Sequence, residues 1–150
     1  MELRKFEDPS RESVNEDRSS RDGFMIRLAE MYLIVAEAGA KANKSDAPDY
    51  MNNLRKMRAI AGYENDMLVA QADIQNTDFI LDERARELAG EQLRWFDLKR
   101  FGRDFFVDRI KKCNPNAATV NQHHWVRPFS QTFLDAIENK TEFTQNPEYK

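Results

Sequence analysis

A chain of 150 residues with 33% charged, 41% hydrophobic and 11% aromatic side chains has the length and composition of one globular domain. Its 23 Lys and Arg against 26 Asp and Glu leave a net charge of -3, which gives no field to condense on phosphates and argues against nucleic acid as a partner. One cysteine, Cys113, excludes an intrachain disulfide and a cysteine-rich zinc site, and it is expected to pack quietly. No apolar run approaches the roughly 20 residues of a membrane-spanning helix. The N-terminus lacks a hydrophobic signal core, so the chain reads as soluble, without signal or anchor.

Residues 1–22 are polar and read as an extended or mobile arm in which no site is expected. From Phe24 to about Asn43 apolar residues recur at helical spacing, and Ala36, Gly39 and Ala40 leave room for a second helix to approach. Pro48 just inside the next pattern and Gly62 after it predict a helix over Ala47–Ala61, closing a helical hairpin with the first. Its length is near that of a tetratricopeptide unit, without that repeat's signature residues. Residues 63–76 read as a linker, 78–101 as one long charged helix stopped by Gly102, and 103–129 as irregular, with a short extended piece at 123–126. A short amphipathic helix over Ser130–Asn139 and a turn at Asn146-Pro147 complete a mainly α chain.

The long helix carries the most informative pattern, ILDERARELAGEQLRWFDLKRFG. Glu83, Glu87 and Glu91 recur every four residues, a spacing at which like charges repel on a helix face. Arg84, Arg86, Arg94 and Arg100 lie among them, interleaved with aromatic residues, which predicts a half-buried carboxylate–guanidinium network rather than a solvated stripe. Partners are expected from Arg55, Arg58 or Arg27 of the hairpin, with Glu87 and Glu91 at least half-buried against the Ala47–Ala61 helix. Asp97 and Arg100 belong to the same network.

This segment resembles the signature helix of the SusD/RagB family, in which E-R-x-R-E-L-A-x-E-x-x-R-x-F-D-L-x-R-x-G recurs. Ile26–Ala38, Met51–Arg55 and Thr144–Tyr149 (TQNPEY) resemble three further blocks of that family in the same order. Glu148 stands where the family's closing Q-N-P-G-Y has glycine, Arg58 falls one place late, and the usual P-I-P is reduced to Arg127-Pro128-Phe129. The resemblance implies a tetratricopeptide-like, mainly α scaffold forming the C-terminal portion of a lipid-anchored outer-membrane protein that captures oligosaccharide or a similar nutrient. It also implies a TonB-dependent, SusC-like transporter as partner, no cofactor, and a structural role for Glu83, Arg84, Glu87, Glu91, Arg94, Asp97, Arg100, Arg55 and Arg58.

Other chemistry finds little support in the residues. A helical di-metal site needs a Glu-x-x-His pair, and neither His123 nor His124 lies at that spacing from a glutamate. As neighbours in an extended segment the two histidines would point to opposite faces. No nucleophile triad or phosphate-binding glycine loop is recognisable, so an enzyme would require a perturbed carboxylate pair in a pocket. Trp95 reads as core, and Trp125 is the candidate for a sugar-stacking platform, a flat apolar ring with one N–H donor. A tetratricopeptide-like protein-interaction scaffold is the alternative function. With few layers for mutual burial, an apolar surface including Met31, Tyr32, Val35, Leu54 and Met57 is expected to stay exposed or to be covered by self-association.

Overall fold

The computed structural model describes residues 4–13, 15–16, 18–139 and 142–149. Among these the chain is mainly α, with seven α-helices, three 3-10 turns and no strand. It divides into two compact units, Met1–Arg94 and Trp95–Lys150, where length alone suggested one. The reason lies in the charged segment. Gly90 (φ 80°) and Gln92 (φ 59°) adopt left-handed backbone, which a continuing helix cannot accommodate. The helix expected over 78–101 is therefore two, α4 (Thr77–Glu87) and α5 (Arg94–Lys99).

In the first unit α1 (Leu28–Lys41) and α2 (Ala47–Lys56) form the hairpin, with the short α3 (Gln71–Gln75) and α4 packed beside it. The fully buried Leu33, Ala36, Met51 and Leu54 meet Ile74 and Ile80 in one apolar cluster. Gly39 sits at the closest approach of the pair, since a Cβ there would lie 2.8 Å from the Ala47 Cβ. Only glycine lets the second helix begin so near. The second helix stops at Lys56, earlier than the pattern suggested, and the chain that follows is pinned by Asn52. Its side-chain amide donates to the Val69 carbonyl at 3.0 Å and its oxygen accepts from the Val69 N–H at 2.8 Å. Asn76 caps α4 by accepting from the Asp78 N–H at 3.0 Å.

The described part of the N-terminal segment is not an open arm. A 3-10 turn, Arg4–Phe6, is followed by a loop folded about Asp8, whose carboxylate accepts from Ser10 N (3.0 Å), Ser10 Oγ (2.6 Å), Ser19 Oγ (2.9 Å) and Ser20 N (2.9 Å). These bonds, the Ser10 hydroxyl foremost, hold the Asp8 carboxyl below its usual range. Arg21 donates to the Glu7 carbonyl and the Phe6 and Phe24 rings meet at 5.8 Å, so the loop's ends are held together. Met1–Leu3, Val14 and Asp17 of that segment lie outside the described residues.

In the second unit, residues expected to be irregular form α6 (Arg103–Cys113), which starts at Gly102 (φ 100°). Cys113 is its last residue and is exposed, contrary to the expectation that it packs. The piece at 122–125 is a 3-10 turn, not a strand, so the rings of His123 and His124 stack at 3.9 Å instead of pointing apart. α7 (Gln131–Ala136) begins at Ser130, whose hydroxyl accepts from the Phe133 N–H at 3.2 Å. The closing segment explains its own residue types. Gln145 brackets Phe129 through both backbone groups (2.8 and 2.9 Å), Asn146 donates to the Arg127 carbonyl (2.6 Å), and the Tyr149 hydroxyl donates to the Val126 carbonyl (2.8 Å). A strand-like stretch with no neighbouring strand thus has its polar groups met by side chains.

Candidate functional site

Two constellations stand out, one in each unit. In the first, Glu83, Glu87 and Glu91 form a ladder of carboxylates, each held by two cations. Glu83 takes Arg55 (Nε to Oε1, 3.1 Å) and Arg86 (Nη2 to Oε2, 2.5 Å). Glu87 takes Arg58 (Nη2 to Oε1, 2.9 Å) and Arg27 (Nη1 to Oε1, 2.8 Å). Glu91 accepts from Arg27 Nε at 2.9 Å on both oxygens and from Lys5 Nζ at 2.7 Å. Beside them, Arg84 reaches Glu30 at 3.5 Å.

The break after α4 makes this arrangement possible. Had the helix continued, Glu91 would stand one turn above Glu87 on the same face; the turn instead brings both carboxylates around a single guanidinium, that of Arg27. Arg27 Nη2 (2.6 Å) and Lys5 Nζ also donate to the Glu87 backbone carbonyl, so two cations cap the C-terminal end of α4. The Glu91 side chain is only 4% exposed and that of Glu87 11%.

Burial alone would raise both carboxyls, yet the hydrogen bonds and charges of Arg58 and Arg27 at Glu87, and of Arg27 and Lys5 at Glu91, hold them below the usual range. Correspondingly Arg27 is raised, chiefly by its hydrogen bond to Glu91, and Arg58 by its bond to Glu87. Carboxylates so tied favour the anionic form and have their oxygens occupied, which suits fixing a scaffold and does not suit a general acid. Among the described residues no three His, Cys, Asp or Glu side chains are grouped to hold a metal ion.

Of the residues singled out in the sequence, Arg55 and Arg58 meet Glu83 and Glu87, and Arg27 joins Glu87 to Glu91. Glu91 draws its cations from Arg27 and Lys5, so the expectation that both glutamates contact the second helix segment holds for Glu87 alone. Arg94 donates to the Leu81 carbonyl at 2.8 Å, closing the turn between α4 and α5. Asp97, buried in α5, faces Arg100 just past the helix's end at 3.6 Å. Lys5 carries no signal in the sequence, because its surroundings are polar throughout and its partner lies 86 positions away. Glu30, the partner of Arg84, carries no pattern of its own.

The second constellation surrounds Trp125. Phe106, fully buried, presents edge contacts to Trp95 at 4.8 Å and to Trp125 at 5.9 Å. The Arg127 guanidinium lies 4.8 Å from the Trp95 ring centre and the Lys99 ammonium 5.1 Å from that of Trp125. Trp125 is half-buried, one side against the core and its ring already engaged by a cation. A sugar stacking there would have to displace Lys99.

The arrangement is that of a helical scaffold stapled by ion pairs. The chain matches the SusD family over residues 1–149 and belongs to it. It is similar to SusD-like protein P2 of Formosa agariphila, with 34% identity over 109 residues that cover 68% of this chain and 22% of that protein. The chain thus corresponds to about a fifth of the length of the curated relative it matches. No solved structure matches it.

Proposed function

We propose that the chain is part of a nutrient-capture component of an outer-membrane uptake system, binding oligosaccharide or a similar nutrient without transforming it and handing it to a TonB-dependent, SusC-like transporter. The observation that carries this reading is the family match along residues 1–149. Within it these 150 residues serve as C-terminal scaffold, and the ladder on Glu83, Glu87 and Glu91 fixes the helices without touching ligand. Salt-bridged carboxylates whose oxygens are occupied support that role and speak against hydrolysis. Trp125 acts as a packing residue, consistent with the Lys99 ammonium over its ring. Among the described residues no helix is long and apolar enough to cross a membrane, and family membership supports attachment at the outer membrane through a lipid anchor.

The test is a glycan array probed with the longest native polypeptide that carries this sequence, followed by calorimetry on any hit. Retention of one class of oligosaccharide, released unchanged, is the expected result, and Trp125→Ala should lower thermal stability while leaving the affinity intact. Cleavage of the glycan, or no retention of any, would sink the reading. Co-purification with a membrane barrel from the native host tests the transporter partnership separately.

A further inference from the structure

Glu148 stands where the family's closing motif has glycine, and its backbone is left-handed (φ 68°). Such backbone is unfavourable for any residue with a Cβ and persists where the surroundings hold it. Here the side chain reaches back to the 3-10 turn Gln122–Trp125, with Oε2 at 3.1 Å from Nδ1 of His123. That nitrogen is enclosed and makes no hydrogen bond of good geometry among the described residues. With a lone pair on Nδ1, two electron-rich atoms face each other; with a proton there, the contact becomes a charge-assisted bond.

The two histidines are not equivalent. Their rings stack at 3.9 Å, and Tyr149 sets its own ring edge-on to His123 at 5.0 Å. His124 Nδ1 accepts the Asn121 N–H at 3.2 Å, so a proton added there displaces a backbone donor, and the Asn121 side-chain oxygen beside it already takes the His123 N–H at 3.2 Å. Two imidazolium rings at stacking distance also repel. The charged groups around the turn are engaged elsewhere: Lys99 of α5 lies over Trp125, Arg127 over Trp95, Asp104 of α6 takes the Gln122 amide, and Arg109 of α6 is buried with a partner of its own. Among the described residues, Glu148 is the charged group in contact with an imidazole.

We propose that His123 and Glu148 form a latch closed by one proton: on acidification His123 becomes the single cation of the stacked pair, donates from Nδ1 to Glu148 Oε2, and fastens the terminal turn at 146–149 to the turn at 122–125. The proton comes from solvent, and His124 stays neutral while the latch is shut. The ion pair exists where histidine is cationic and glutamate still anionic, about pH 5–6.5. Above that window the contact weakens and the strained backbone at position 148 remains; below it the carboxylate is neutral. The device is separate from any capture of nutrient.

Both tryptophans, Trp95 and Trp125, lie in the second unit, so their fluorescence follows the melting of that unit. Glu148→Gly should raise the melting temperature at pH 8 by relieving the backbone, and that gain should shrink by about 2 °C at pH 6, the size of shift an exposed ion pair produces in a chain of this length. Glu148→Gln keeps the side chain without its charge, so its difference from Glu148→Gly should be the same at both pH values. In the wild type, ring-proton NMR between pH 8 and 5 should show His123 taking up its proton before His124. A gain from Glu148→Gly that is equal at the two pH values, or larger at pH 6, overturns the proposal. So does a pH-dependent difference between the Gln and Gly variants, or a titration in which His124 leads or the two rings move together.

Discussion

Arg27 and Glu91, 64 positions apart, meet through a fork in which Nε lies 2.9 Å from both carboxylate oxygens and Nη2 lies 2.7 Å from Oε1. Because Arg27 also holds Glu87, its removal leaves two buried carboxylates short of a partner. Glu87→Ala should cost about 1 kcal/mol, since Arg27 keeps its fork on Glu91 and the half-exposed Arg58 alone loses its carboxylate. A double-mutant cycle on Arg27 and Glu91 should give a coupling of about 1–3 kcal/mol in urea denaturation, and one near zero would show that the fork adds nothing.

Acid should weaken the first unit in a defined window. Glu87 and Glu91 lie below the ordinary value of 4.5 when folded, so the unfolded chain takes up protons more readily. Their contribution is complete above that unfolded value and is lost as pH falls through the lower folded ones. The urea midpoint should hold from pH 7 to about 5 and then decline, and Glu91→Gln should make the decline shallower. An unchanged slope in that variant would contradict the assignment.

Gly39→Ala introduces a Cβ 2.8 Å from that of Ala47, against a neighbour that can move only with the start of α2. The expected loss is about 1–3 kcal/mol despite alanine's better helix propensity. Pairing it with Ala47→Gly should recover part of the loss, and thermal melts of the three variants decide the matter.

Glu148 occupies a left-handed conformation (φ 68°) in the turn closed by the Tyr149 N–H to Asn146 carbonyl bond at 3.2 Å. Glycine carries no penalty there, so Glu148→Gly should stabilise the chain by about 1 kcal/mol. The substitution also removes the contact between Glu148 Oε2 and His123 Nδ1 at 3.1 Å, which involves a side chain 69% exposed and should offset little. A lowered melting temperature would show that this contact outweighs the strain.

Sequence patterning disclosed the hairpin and the carboxylate ladder because both rest on local periodicity: apolar spacing in α1 and α2, and a four-residue recurrence of glutamate. It missed the division of the charged helix, since ARELAGEQLR reads as helix throughout while its geometry depends on left-handed Gly90 and Gln92. α6 escapes such patterning because its apolar residues stand among charges and only two of them, Phe106 and Val107, are buried. Asp8 is illegible for another reason. Its serine donors are 2 to 12 positions away in a stretch with no periodicity, so composition suggests disorder where hydrogen bonds impose shape.

The reach of Lys5 and Arg27 to the turn after α4 orders events during synthesis. The α1–α2 hairpin can form once its own residues have left the ribosome, but Arg27 then faces no carboxylate at position 91 and Lys5 has no anchor. The N-terminal turn therefore gains its docking contacts only after more than half the chain has emerged. Hydrogen exchange on ribosome-stalled chains should show protection around Lys5 switching on only when Glu91 clears the exit tunnel.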